Sequence, residues 1–269
     1  MDRPTWASED IDLDRPSPAR MYDYFLGGSH NFAVDRALAE QFIAAVPQTR
    51  WMARANRAFL RRAVRYLVDT GVRQFLDLGS GIPTAGNVHE VAQAVAPDAR
   101  VVYVDLDPIA VAHSGSILAG NANAVAIQAD LRHPDAVLAR PEVAAMFDLD
   151  QPVAVLLLSV LHFVLDADDP AGIIAGYRDA LAPGSFLVMS HITVEGQADM
   201  ATGVQLARRA SIPSQVRTRV QVQRLFAGFD LVDPGLVWAP LWRPDSEDPS
   251  EHADAPESSS YFVAVGRTP

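Results

Sequence analysis

Cysteine is absent from the 269-residue sequence, and so is lysine, because all 22 basic residues are arginine. Without cysteine there are no disulfides, no thiolate metal sites and no thiol nucleophile. Without lysine there is no Schiff-base chemistry and no Tyr-x-x-x-Lys pair, which counts against a nicotinamide-dependent oxidoreductase. Positive charge is scarce overall: 33 acidic residues leave a formal net charge of −11. That balance argues against a general nucleic-acid-binding surface. No apolar run is long enough to span a bilayer. The start, Met1-Asp2-Arg3-Pro4, lacks the apolar stretch of a signal peptide. A cytoplasmic protein without membrane association is therefore expected. No CxxC, HExxH or dense His/carboxylate spacing is present, so no metal is expected either.

What the chain does have is apolar residues, at 49%, enough for one large α/β domain with additions. Its organising stretch is Gln74-Phe75-Leu76-Asp77-Leu78-Gly79-Ser80-Gly81-Ile82-Pro83-Thr84. This reads as a buried strand, then a glycine turn, then a helix striped by Val88, Val91, Ala92 and Val95. Glycine turns of this kind bind nucleotide-like cofactors at the carboxyl edge of open α/β sheets. A dinucleotide fingerprint would want a third glycine where Thr84 stands, so a pyrophosphate ligand is not expected.

Before that strand, residues 1–70 read as a polar, proline-punctuated arm and a helical extension. The expected helices are a short one over Ala19–Leu26 stopped by glycines, a second that Ser29–Asp35 leads into and that ends at about Ala45, and a third from about Met52 to Thr70. Such a patterned extension should pack on the sheet or cover a ligand. From residue 71 to 269, strands and helices alternate, which implies a mostly parallel sheet with helices on both faces. Strands are expected at Arg100–Val104, Ala124–Gln128, Val153–Leu158 and Phe186–Ser190, with an irregular one around Pro234-Gly235 and a last one at Tyr261–Gly266. Residues 243–260, acidic and rich in Pro and Ser, read as a mobile loop. Trp6, Trp51 and Trp242 could mark a partner surface or pack locally.

Asp77, Asp105 and Asp130 close successive strands, and in a parallel sheet those ends share one edge. Asp105 follows Gly81 by 24 positions, near the spacing of an acid that binds ribose hydroxyls. Asp107, directly before Pro108, fits a helix cap better.

Leu76-Asp77-Leu78-Gly79-Ser80-Gly81, Val102-Tyr103-Val104-Asp105 and Ala129-Asp130, in this order, resemble the motifs of the Rossmann-like, seven-stranded S-adenosylmethionine-dependent methyltransferases. Pro18-Ala19-Arg20-Met21-Tyr22-Asp23-Tyr24-Phe25-Leu26-Gly27-Gly28 with Asn31-Phe32 resembles, more narrowly, the actinobacterial S-adenosyl methyltransferase family, once a domain of unknown function. Gly81-Ile82-Pro83-Thr84, Asn87-Val88-His89-Glu90, Val232-Asp233-Pro234-Gly235 and Trp242-Arg243-Pro244 match its further blocks. The resemblance implies S-adenosyl-L-methionine as cofactor. It also implies the methionine moiety against Gly79, Ser80 and Gly81, and Asp77 near its amino group. Asp105 and Leu106 would lie at the ribose, and Asp130 and Leu131 would flank the adenine. Ser159 would lie nearby, and Arg20, Tyr22, Asp23 and Tyr24 would close over the cofactor.

Methyl transfer is an in-line displacement that chiefly needs alignment. His162, just past the fourth strand, is the candidate base, and His191, after the fifth, is a weaker one. Either could instead hydrogen-bond backbone. No Asn-Pro-Pro-aromatic or Asp-Pro-Pro-aromatic sequence follows the fourth strand, unlike in nucleic-acid amino methyltransferases. The expected acceptor is a small molecule, not nucleic acid. The alternative class is a non-catalytic protein that binds S-adenosylmethionine for regulation. Acceptor identity and oligomeric state stay open.

Overall fold

Strand β4 (Val153–Leu158) carries unbroken apolar sequence and β1 (Gln74–Leu78) is buried along its whole length, because helices cover both faces of the sheet here. The computed structural model describes residues 15–83, 86–248, 252 and 254–269. Residues 1–14 with Trp6, as well as Thr84, lie outside the described residues.

The first elements among the described residues are α1 (Pro18–Phe25), α2 (Ala33–Ala45) and the long α3 (Thr49–Asp69). After β1 come α4 (Val88–Val95), β2 (Arg100–Asp105), α5 (Pro108–Ile117) and β3 (Ala124–Gln128). Two short helices, α6 (Pro134–Leu138) and α7 (Pro141–Met146), lead to β4, followed by α8 (Pro170–Asp179) and β5 (Phe186–Ile192). Next are α9 (Met200–Arg209), α10 (Arg219–Arg224), β6 (Asp230–Leu231), β7 (Val237–Trp238) and β8 (Tyr261–Arg267).

The sheet order is β3-β2-β1-β4-β5-β8-β6, with β7 also pairing to β8. Strands β1 to β5 pair in parallel, and β8 runs antiparallel between β5 and the short β6 and β7. Seven strands were expected and eight are present among the described residues. The extra one arises because Pro234 and Gly235 split one edge strand: β6 lies opposite Arg267 and Gly266, and β7 opposite Val263 and Phe262. Strands are added outward from β1 to β2 and β3 and then on its other side from β4, so the strand order reverses between β1 and β4, the topological switch point where open α/β sheets bind ligands.

Two cores flank the sheet. On one face, Phe75, Val101, Tyr103 and Leu156 pack against Phe59, Leu60, Val64 and Leu67 of α3 and Val88 and Ala92 of α4. Full burial of each large apolar side chain contributes about 1.5–3 kcal/mol. On the other face, Leu76, Leu78, Val102 and Val155 meet Ile173, Ile174 and Tyr177 of α8 and Val222 next to Leu225 and Phe226. A third, smaller core joins Met21 of α1, Ala39 of α2 and Ala207 of α9. These three helices form a cap at the carboxyl end of the strands, where α1 lies close to Gly81 through Ala19.

The acidic segment expected to be mobile is held where it is described. Asp245, Glu247 and Asp248 pair with Arg61, Arg62 and Arg65 of α3. Residues Pro256–Ser259 form a 3-10 turn. Trp51 and Trp242 are buried, Trp51 donating to the Ser258 hydroxyl at 3.0 Å, so neither marks a surface. Among the described residues no helix is long and apolar enough to cross a membrane.

Candidate active site

The turn after β1 is shaped by backbone geometry that side chains resist. Gly79 and Gly81 both have positive φ, 69° and 62°. A Cβ on Gly79 would stand 2.2 Å from Val160, so the turn sits directly against the chain leaving β4. The Gly79 and Ser80 N–H groups donate to the Val104 carbonyl, and the Gly81 N–H donates to the Asp105 carboxylate at 2.7 Å. The ends of β1, β2 and β4 thus meet around one loop.

Asp77 lies beside Tyr103 in the strand register, on the face covered by α3 and α4, and is only 6% exposed. Among the described residues none hydrogen-bonds or ion-pairs with its carboxylate. Burial pushes its pKa up to about 7, against the opposing pull of Arg57 and with a further push from Asp105. Arg57 donates to Asn87 Oδ1 at 3.1 Å, and its guanidinium lies 5.9 Å from the Tyr22 ring centre. Its Nε is buried without a partner.

Asp105 accepts from Gly81 and, at 2.8 Å, from the Asp107 N–H. Burial raises its pKa, while those two N–H groups work in the opposite direction. Asp107 caps α5 by accepting from Ile109, as expected, and its other oxygen accepts from the Ser17 hydroxyl. Leu106 between them is 61% exposed, an apolar surface at the cleft edge. Asp130 is engaged differently: Arg132 grips both its oxygens and holds its pKa down. Leu131, next to it, is partly buried and its carbonyl accepts from Tyr177.

Ser159, straight after β4, adopts a left-handed conformation with φ 53°, which costs a non-glycine residue about 1–3 kcal/mol. The Ser190 hydroxyl accepts from its N–H at 2.9 Å, and its own hydroxyl meets that of Tyr261 at 2.6 Å. Burial and the nearby Tyr22 push the Tyr261 hydroxyl well above its usual value. The Tyr22 hydroxyl in turn accepts from Asn56 at 2.8 Å, leaving Asn56 Oδ1 buried and unpartnered. Tyr22, Asn56, Ser159 and Tyr261 therefore bring a polar surface next to the glycine turn.

The other residues expected from α1 serve the cap itself. Arg20 is buried against Asp35 at 2.7 Å and also donates to the Arg15 carbonyl. Asp23 accepts from the His30 N–H and the Asn31 side chain, and Tyr24 bonds to Glu40. Only Tyr22 of these four reaches the polar cluster.

The two histidines differ. His191 Nδ1 meets the Ile192 carbonyl at 2.8 Å, and Arg217 donates to Nε2 at 2.9 Å. Both ring nitrogens are thus engaged, and burial pushes its pKa down to about 4. His162 stacks on Phe163 at 4.0 Å, and its Nδ1 is buried without a partner. Burial, His191 and Arg217 push its pKa down to about 3, far from the near-neutral value suited to a general base.

Arg57, Asn56 and Tyr261 were missed by the sequence reading. Arg57 belongs to α3 (Thr49–Asp69). Its signal was a position one residue from the buried face of that helix.

Residues 4–269 match a family model described as S-adenosyl methyltransferase. A solved structure from Thermobifida fusca YX, provisionally named a methyltransferase, is 39% identical, with a TM-score of 0.91 over 98% of this chain and 99% of that one. A DUF574 family protein from Streptomyces avermitilis is 36% identical, with a TM-score of 0.91 over 96% and 100% of the two chains. Human N-acetylserotonin methyltransferase in complex with SAM, at 14% identity, shares the fold with a TM-score of 0.52 over 95% of this chain and 63% of that one. No curated protein matches the chain.

Proposed function

The chain belongs to the S-adenosyl methyltransferase family, and from that premise we propose that this S-adenosylmethionine-dependent enzyme methylates a small-molecule acceptor at the ends of β4, β5 and β8. The cofactor supplies a methyl carbon made electrophilic by its sulfonium. The protein's part is to hold, orient and exclude water.

The residues fit such a ligand. Asp77 is a buried carboxylate with no hydrogen-bond or ion-pair partner among the described residues, suited to an ammonium. The oxygens of Asp105 each accept one backbone N–H, and a carboxylate has further lone pairs for ribose hydroxyls. Leu106 and Leu131 offer apolar surface to an adenine, and Asp130 would have to share with Arg132 to accept from its amino group. Gly79, Ser80 and Gly81 allow close backbone approach, and Ser159 stands beside them. Asp77 carries the reading, because a buried acid without a partner is costly unless a ligand completes it.

The extension over residues 1–70 acts in this reading as the roof of the site. Arg20, Asp23 and Tyr24 hold α1 in place, and Tyr22 faces the acceptor. His162 would meet the acceptor as a neutral hydrogen-bonding group, and His191 would keep the β5 end in shape through Arg217. A small acceptor is supported by the Ser159-Val160-Leu161-His162 sequence after β4 and by the net charge of −11.

Titration calorimetry with S-adenosylmethionine, S-adenosylhomocysteine and NAD in parallel tests the site. Micromolar binding of the first two without NAD is expected. Binding of NAD alone would sink the assignment of Asp77 and Asp105.

A further inference from the structure

We propose that Arg57, from the helical extension, binds the carboxylate of the cofactor's amino-acid end opposite Asp77, so that the two side chains clamp a zwitterion. The inference rests on the cofactor assignment above and adds to it the residue that meets the second charge.

Asp77 and Arg57 carry opposite charges and interact electrostatically, and Arg57 bonds to Asn87 at the start of α4, one of the helices covering the face of β1 on which Asp77 lies. Yet among the described residues no ion pair joins them. Each is fixed away from the other. Asp77 is set by the register of β1 between Tyr103 and Leu156. Arg57 is drawn toward Asn87, the residue that opens α4, and lies over Tyr22. Its Nε is left buried with no acceptor. The Arg57 Nε and the Asp77 carboxylate, on a half-buried cation and a buried anion kept apart, each lack a hydrogen-bond partner among the described residues.

The chemistry between them narrows the ligand. A simple anion would satisfy Arg57 and face the Asp77 carboxylate; a simple cation would do the reverse. An α-amino acid presents an ammonium and a carboxylate on one carbon, and satisfies both at once with charge-assisted hydrogen bonds. Tyr103 lies beside Asp77, and its hydroxyl is taken by the His89 N–H and ring, so it is not free to replace Arg57.

The test compares two ligands that differ only at this end: S-adenosylhomocysteine, and 5′-methylthioadenosine, which keeps the nucleoside and thioether but has no amino-acid group. Calorimetry on the full chain is run for wild type, Arg57→Met and Arg57→Lys. Methionine keeps an apolar stem against Tyr22, so that helix packing is retained. Arg57→Met should weaken S-adenosylhomocysteine binding roughly 10- to 100-fold, the size of a hydrogen bond to a charged group. Its affinity for methylthioadenosine should stay within about twofold, and Arg57→Lys should recover part of the loss. Equal weakening of both ligands would make Arg57 a support of the cap instead, and an unchanged S-adenosylhomocysteine affinity would end the proposal while leaving the cofactor assignment intact. A wild-type protein that binds neither ligand would overturn that assignment itself.

Discussion

Arg20 and Asp35 in the cap meet at 2.7 Å with side chains 2% and 0% exposed, and Asp35 also accepts from the Ser17 and Phe32 N–H groups. Arg57 and Asp77 in the cleft have the same chemistry and a comparably secluded acid, but stand unjoined. The cap pair is complete, and its function is to fix the path of the chain into α1 and α2. The cleft pair is incomplete, and Asp77 bears a raised pKa as the mark of it. Saturation of a buried charge thus distinguishes Asp35, which builds the cap, from Asp77, the acid proposed above to meet a ligand.

Breaking the closed pair should have the largest effect on stability. Asp35→Ala leaves buried Arg20 with only its longer contact to Asp107 at 3.9 Å and should cost about 3–5 kcal/mol, read as a lower urea midpoint with unchanged slope.

The same kind of change in the cleft should act in the opposite direction. Asp77 has its pKa raised from 3.8 to about 7, so between those values the folded chain holds a proton that the unfolded chain has released. Stability should fall as pH rises through that window and level off above it. Asp77→Asn should remove this slope and melt above wild type at pH 8, while S-adenosylhomocysteine affinity falls by roughly 10- to 100-fold. In wild type that affinity should rise with pH up to about 7, as Asp77 ionises against Arg57, with Tyr103 and Asp105 as its other ionisable neighbours. A flat stability profile in wild type would contradict the assignment of Asp77 as an unsatisfied acid.

Two further acids sharpen the contrast. Asp105→Asn should weaken cofactor binding about tenfold, whereas Asp130→Asn, whose carboxylate Arg132 already holds, should change it by only about twofold. The smallest effect is expected from His162. Its pKa of about 3 keeps it neutral from pH 5 to 9, so kcat/KM should show no inflection from its titration. A limb near 6.5 that vanishes in His162→Asn would restore it as a base.

The alternation from β1 to β5 was legible because buried parallel strands carry runs such as Val153–Leu158, and the glycine turn announces itself. Asp77 and Asp105 were legible for the same reason, since strand ends share an edge. Less was visible where elements are short or polar. Helices α6 and α7 have five and six residues, too few for a period to emerge. Helix α9 was passed over as polar, though Met200, Val204 and Ala207 recur at helical spacing. The acidic segment looked unstructured by composition alone. Its partners, Arg61, Arg62 and Arg65, lie far back in the chain, and only the fold brings opposite charges together. Arg57 escaped for a related reason: a sequence records its charge but not that Asp77 lies within reach.

Strand β8 has a consequence for the order in which the molecule is made. It is the last strand in chain order, yet it lies between β5 and the short β6 and β7, and it brings Tyr261 to Ser159. Until residues 261–267 leave the ribosome, β5 has an open edge of the kind that invites wrong pairing. The side of the cleft at Ser159 also lacks one wall. A nascent chain can therefore present the glycine turn early, but the chamber in which a methyl group changes hands closes only when synthesis is nearly done.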